Sequence, residues 1–280
     1  MAAAPLPEIK EADAAGRIAA LYDDIRAVIG VPMVNLIFRH MATIPGCLDW
    51  AWLTIRPLYV DGQIPAAAAA LTHDVLPGVT FDIRAAAAAQ PLSHDDLHAV
   101  DRVLDAYGRA NPMNLIGLNV INLALDGAPQ DEGVGSAASS DTVLLQPKNL
   151  PPLPPMTDPT TAPARVRDAL HALAVQIHRG DTGVIPSLYR HFGTWPGFLE
   201  GLKPAVAGLF EGEEFENAAR AMQASGEKRA AAFYRALPLP DMPAPDGGAV
   251  NALKGLIGQF PPNICRMTVL ATVLRRGLNA

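Results

Sequence analysis

Two cysteines, Cys47 and Cys265, are too few for a disulfide scaffold and form no C-x-x-C pair, so a reduced, cytoplasmic setting is expected. Basic residues are in the minority: the net charge is −6, against the basic balance of a nucleic-acid binder. No apolar run reaches the roughly 18 residues of a membrane span, and Met1 to Ala14 has no basic region followed by an apolar one, so no secretory signal is read. Charged residues make up only 18% of the chain against 50% hydrophobic, which excludes wholesale disorder and allows a sizeable core. H-E-x-x-H, Walker, G-x-G-x-x-G and G-x-S-x-G patterns are all missing, so neither a metal nor a cofactor is expected. No run of alternating β-branched residues stands out, and the fold class expected is all-α.

Helical patterns broken by prolines are what the sequence does contain. Ile18, Leu21, Tyr22, Ile25, Val28 and Ile29 recur at helical spacing and Gly30 is placed to cap them. Ser93, followed by Asp95 and Asp96 and then by Leu97, Val100, Val103, Leu104 and Tyr107, reads as a helix start and its apolar face. The alanine runs 66–70 and 85–89 are strong helix formers. Residues 127–163, with seven prolines from Pro147 to Pro163, read as a linker, flexible at first and then stiff.

The two sides of this linker resemble each other. Arg39-His40-Met41-Ala42-Thr43-Ile44-Pro45-Gly46 agrees with Arg190-His191-Phe192-Gly193-Thr194-Trp195-Pro196-Gly197 at five of eight positions. Pro112–Leu125 agrees with Pro261–Leu274 at Pro, Asn, Val and Leu, and the offsets of 151 and 149 residues are nearly one shift. The expected organisation is a duplicated helical repeat, 1–126 and 164–280, joined by the linker 127–163 and packed as an intrachain pseudo-dimer. Proline suits the first position of a helix, so helices are expected to start at Pro32, Pro112, Pro186 and Pro261 or Pro262, with Asn111 capping the second. Four such ends around one cavity would form a site for a small anion such as a carboxylate. The alternative is that these prolines only end and restart helices at turns.

The stretch Tyr22–Gly46, the Asn111-Pro112 turn and the stretch Ser187–Pro196 resemble the group I 2-haloacid dehalogenases. The resemblance implies an all-helical pseudo-dimer. It also implies a hydrolase in which an Asp activates water to displace the halogen of a short 2-halocarboxylic acid, with no covalent ester, cofactor or metal. Asn111 matches a family active-site Asn and Ser187 a Ser beside the catalytic Asp. The Asp itself should stand at position 188, where this chain has Leu188. Family aromatic residues fall on Met33 and Leu36, and a family Tyr on Phe260. A leucine accepts no proton, and a general base typically contributes about 10² to 10⁴ in rate, so hydrolysis by the family route should be severely reduced unless another base serves.

Asp181, His191 and His40 are the candidates for such a base, each with a structural reading beside it: a loop residue for Asp181, packing for the two histidines. His178 is expected to be exposed at a helix end, Cys47 to be a core thiol, and Trp50, Trp52 and Trp195 to be core or cavity wall. Three functions follow: an enzyme related to the dehalogenases, a non-catalytic binding protein for a small carboxylate or apolar ligand, and a structural protein. No nucleic-acid or membrane partner is expected, and a homodimer is left open.

Overall fold

The structure is a computed structural model that describes residues 6–73, 81–86, 90–135, 145–146, 148–180 and 183–279. Its described residues form eleven α-helices, one short 3₁₀ turn (Glu11–Asp13) and no strand. In chain order the first six helices are α1 (Gly16–Ile29), α2 (Leu36–Met41), α3 (Cys47–Val60), α4 (Gln63–His73), α5 (Ile83–Ala86) and α6 (His94–Leu125). The described residues that follow form no helix until α7 (Ala164–His178), after which come α8 (Ser187–Phe192), α9 (Pro196–Glu211), α10 (Glu213–Arg235) and α11 (Gly247–Leu278).

The local signals act where the sequence places them. Gly30 takes the left-handed conformation (φ +74°) that a side chain resists, and its N–H returns to the Arg26 carbonyl to close α1. Ser93 and Asp96 form a reciprocal capping box at the start of α6. Asp96 also accepts a 2.7 Å hydrogen bond from the Trp195 indole, tying that helix start to the entrance of α9.

The two 32-residue helices α6 and α11 are the centre of the molecule and pack more extensively on each other than any other pair. Helix α10 packs chiefly on α6, and α7 on α9. The close approach of α5 and the residues before it depends on two glycines. A Cβ at Gly201 of α9 would fall on the Ala86 carbonyl, and one at Gly277 of α11 on the Phe81 carbonyl.

The proline expectation fails at α6 and α11. Pro112 lies inside α6, and Pro261 and Pro262 lie inside α11. Asn111 is therefore a buried mid-helix residue and not an N-cap. An interior proline costs about 3 kcal/mol or more, but here both helices bury long apolar faces on each other, and each CH₂ so buried contributes about 0.8 kcal/mol. Gly108 and Gly258, four residues before Pro112 and Pro262, stand where the proline ring crowds the preceding turn. Pro32 precedes the start of α2 by four residues, and Pro186 is the N-cap of α8. Four converging helix starts do not exist, so the anion site argued from them is withdrawn.

Buried polar groups are concentrated in the N-terminal part. Asp24 is fully buried, accepts hydrogen bonds from Trp52 Nε1 and Arg56 Nε, both at 2.7 Å, and receives the Leu145 N–H at 2.6 Å. Trp50, Trp52 and Trp195 are buried, and Cys47 is a core thiol whose pKa burial pushes up to about 12.

Candidate functional site

A cavity of about 380 Å³ lies where the starts of α2 and α8 meet the middles of α6 and α11. The start of α2 contributes Asn35, Leu36 and Ile37, and that of α8 contributes Pro186, Ser187 and Leu188. Helix α6 presents Tyr107, Asn111 and Asn114; helix α11 presents Gly258, Phe260, Pro262, Asn263, Ile264 and Met267. His178, the last residue of α7, and Val184 complete the wall. Five residues singled out from the sequence, Leu36, Asn111, Ser187, Leu188 and Phe260, thus share one cavity. Met33 does not line it; it is a core residue, 5% exposed.

The lining is amide and hydroxyl on an apolar ground. Asn114 is buried and its Oδ1 accepts from the Tyr59 hydroxyl at 3.3 Å. Tyr107 is hydrogen-bonded to the Ser187 side chain, and its phenol is held above the ordinary range, chiefly by burial. Leu188, 1% exposed, occupies the wall beside Ser187. Among the described residues no Asp, Glu, Lys or Arg lines the cavity.

Neither histidine among the expected replacement bases is a lining residue. His40 Nδ1 donates to the Pro7 carbonyl at 2.6 Å, and His191 Nδ1 to the Pro154 carbonyl at 2.5 Å. Both imidazoles thus pin an extended segment onto the helix that carries them. His191 is buried behind Tyr107, with ring centroids 5.7 Å apart, and burial lowers its pKa to about 4. Asp181 lies outside the described residues.

His178 corrects the sequence reading in the other direction: it is half-buried and on the cavity wall rather than exposed. Its Nε2 donates to the Val184 carbonyl at 3.1 Å, and its Nδ1 is covered, with no solvent-accessible surface. Burial is the largest cause of its lowered pKa, opposed by the neighbouring Asn263 side chain and the Val184 carbonyl. Its position at the end of α7, one short loop before Ser187, was the signal available in the sequence.

A larger groove of about 580 Å³ runs between α4, α6 and α11. Its cationic wall is already engaged: Arg275 pairs with Asp101 at 3.0 Å and also with Asp105, and Arg109 Nε donates to the Ile29 carbonyl. None of the site residues read from the sequence lines it. Among the described residues no cluster of His, Cys, Asp or Glu could hold a metal ion, and no helix is long and apolar enough to cross a membrane.

Residues 32–150 match the family described as "Halocarboxylic acid dehydrogenase DehI". No curated protein matches the chain. Among solved structures, a D-2-haloacid dehalogenase mutant in complex with D-2-CPA superposes with a TM-score of 0.73 at 19% identity, covering 98% of this chain and 96% of that one. A second D-2-haloacid dehalogenase mutant structure gives a TM-score of 0.65 at 18% identity, over 98% of this chain and 93% of that one. A D-2-haloacid dehalogenase in complex with L-LA gives 0.65 at 18%, over 98% and 94%. The all-helical fold described above is thus the fold of these dehalogenases, and the resemblance read from Tyr22–Gly46 and Asn111-Pro112 falls largely inside the matched residues. The Ser187–Pro196 stretch lies outside that match and is covered by the structural likeness alone.

Proposed function

We propose that this divergent relative of the 2-haloacid dehalogenases binds a short carboxylic acid in the cavity between α2, α6, α8 and α11, and does not hydrolyse 2-haloacids by the family route at ordinary enzyme rates. The observation that carries the reading is the lining itself: amides and a hydroxyl at Asn111, Asn114, Asn263 and Ser187, an apolar remainder, and Leu188 where the resemblance expects the carboxylate base. Amide N–H and hydroxyl groups donate to a carboxylate, and the apolar wall suits a short alkyl or haloalkyl tail. Among the described lining residues there is no carboxylate to take a proton from water.

The same reading includes the duplication. Under the two offsets of the repeat, five pairs of equivalent positions line the cavity: Asn35 with Pro186, Leu36 with Ser187, Ile37 with Leu188, Asn111 with Phe260, and Asn114 with Asn263. The paired helix lengths support it as well, with six residues in both α2 and α8 and 32 in both α6 and α11. The units 1–126 and 164–280 are read as the two halves of a pseudo-dimer and the cavity as their shared site. The two buried, unpaired thiols Cys47 and Cys265 suit a cytoplasmic setting.

The test is a ligand-observed NMR titration of the purified protein with both enantiomers of 2-chloropropionate. Saturable binding, weakened by Asn111→Leu, is expected. Absence of saturable binding of either enantiomer by folded wild type would leave the structural reading in its place.

A further inference from the structure

The carboxylate reading meets a physical difficulty, since no cation is among the described lining residues and an anion leaving water needs positive potential. The structure supplies it from one helical turn away. On α2, Arg39 follows the lining residue Leu36 by three positions; on α8, Arg190 follows the lining residue Ser187 by three. Positions three apart share one face of a helix. Arg39 is 2% exposed, so its charge is little screened. Glu8 stands between the two guanidiniums, 2.7 Å from Arg39 Nε and 3.8 Å from Arg190 Nη1. Arg190 Nε donates to the Thr157 carbonyl, and Arg39 Nη2 is buried without a hydrogen bond. Two other carboxylates belong to this neighbourhood: Glu11 is engaged by Arg26 at 2.5 Å and by the Val34 N–H, and Asp158, which also acts on Arg190, accepts from Thr160 and stands 3.9 Å from Lys10 Nζ. Glu8 is the carboxylate that both guanidiniums approach directly.

Resting on the carboxylate reading, we propose that the Arg39–Glu8–Arg190 cluster sets the charge selectivity of the cavity and favours a carboxylate over the neutral amide of the same shape. Tyr107 is the side chain between them: it lines the cavity, is hydrogen-bonded to Ser187, and stacks its edge near His191, the neighbour of Arg190. Both arginines act on the Tyr107 phenol in the direction that favours negative charge there, against the larger opposing effect of burial and the smaller one of Glu11. The same field acts on an anion resting against that phenol. Glu8 sets how much of the field remains, and so tunes selectivity without touching the ligand.

The experiment compares the dissociation constants of 2-chloropropionate and 2-chloropropionamide in wild type, Glu8→Gln, Arg190→Gln and Arg39→Gln. A unit charge roughly 10 Å away at an effective dielectric constant of about 20 changes affinity on the order of tenfold. Glu8→Gln is expected to raise the preference for the carboxylate by about that factor, and either arginine substitution to lower it. If the purely anchoring role of the cluster is the whole story, every folded variant keeps the wild-type ratio, and that result overturns the proposal while leaving the cavity reading intact. Should Arg39→Gln fail to fold, the opposite signs expected of Glu8→Gln and Arg190→Gln still decide it. Failure of wild type to bind either probe overturns the cavity reading and this inference with it.

Discussion

At the start of α2 the cavity meets Asn35, Leu36 and Ile37; at the start of α8 it meets Pro186, Ser187 and Leu188. Both triplets precede an Arg-His pair, and in both the histidine holds a proline carbonyl of the extended segment laid across it, Pro7 for His40 and Pro154 for His191. The backbone agrees as well: the Ile9 N–H reaches the Arg39 carbonyl at 3.0 Å, and the Thr157 N–H the Arg190 carbonyl at 2.9 Å. The scaffolding residues are alike while the cavity-facing residues differ, amide against proline at the first position and leucine against serine at the second. Ile37 and Leu188 are the exception, apolar on both sides. The difference teaches that scaffold and cavity-facing positions are separable within one helical turn, so the residue at position 188 can change without disturbing the frame around it.

The two parts differ most in their buried charge, and the largest expected effect lies there. Asp24→Ala leaves the buried Arg56 guanidinium without its carboxylate and should cost about 3–5 kcal/mol in urea unfolding. Val175, 151 residues further on in α7, is half-buried and has no such partners; Val175→Ala should cost on the order of 1 kcal/mol. Equal costs at the two positions would mean that the Asp24 cluster contributes nothing beyond packing.

Burial of His191 predicts a pH dependence. Its folded pKa, about 4, lies below the unfolded value near 6.5, so the unfolded chain binds the extra proton. The stabilisation from keeping this ring neutral is complete above about pH 6.5 and is lost as the pH falls towards 4, by roughly 3 kcal/mol in all. His178 acts in the same direction. Unfolding free energies measured across this window should flatten in His191→Gln. An unchanged slope in that variant would assign the acid sensitivity elsewhere.

The smallest effects compare the caps of the two long helices. Ser93→Ala removes half of a reciprocal box and should cost about 1 kcal/mol, whereas Asp246→Ala in α11, which removes a single bond to the Ala249 N–H, should cost about half as much. Asp96 adds an acid limb: hydrogen bonds from Ser93 and then Trp195 hold its carboxyl below the usual range. Its stabilisation is complete above about pH 4 and decays below that. Ser93→Ala should shrink this limb in acid titrations monitored by circular dichroism.

Much of the site is legible through the family resemblance, which implies Leu36, Asn111, Ser187, Leu188 and Phe260, and all five line the cavity. The error at Pro112, Pro261 and Pro262 came from reading a local penalty without the tertiary term that outweighs it. A ring that removes one hydrogen bond reads as a boundary in the sequence, yet α6 and α11 each bury enough apolar surface on the other to continue through it. Met33 was misplaced for the opposite reason, since an apolar residue near the site has no local mark that separates core from cavity. His178 lay at a recognisable helix end, but only the return of the chain at Val184 and Asn263 turns its ring onto the wall.

The central claim is that the cavity keeps its shape and lacks its base, and halide release tests it most directly. Purified wild type and Leu188→Asp are each incubated with both enantiomers of 2-chloropropionate under saturating conditions. The account predicts no release above background from wild type, and weak but measurable release from Leu188→Asp, improved by adding Phe260→Tyr. The new carboxylate would stand in an apolar wall that raises its pKa, so activity should rise with pH. Release by wild type on the order of 1 s⁻¹ or faster would contradict the account and require a base other than the described lining residues.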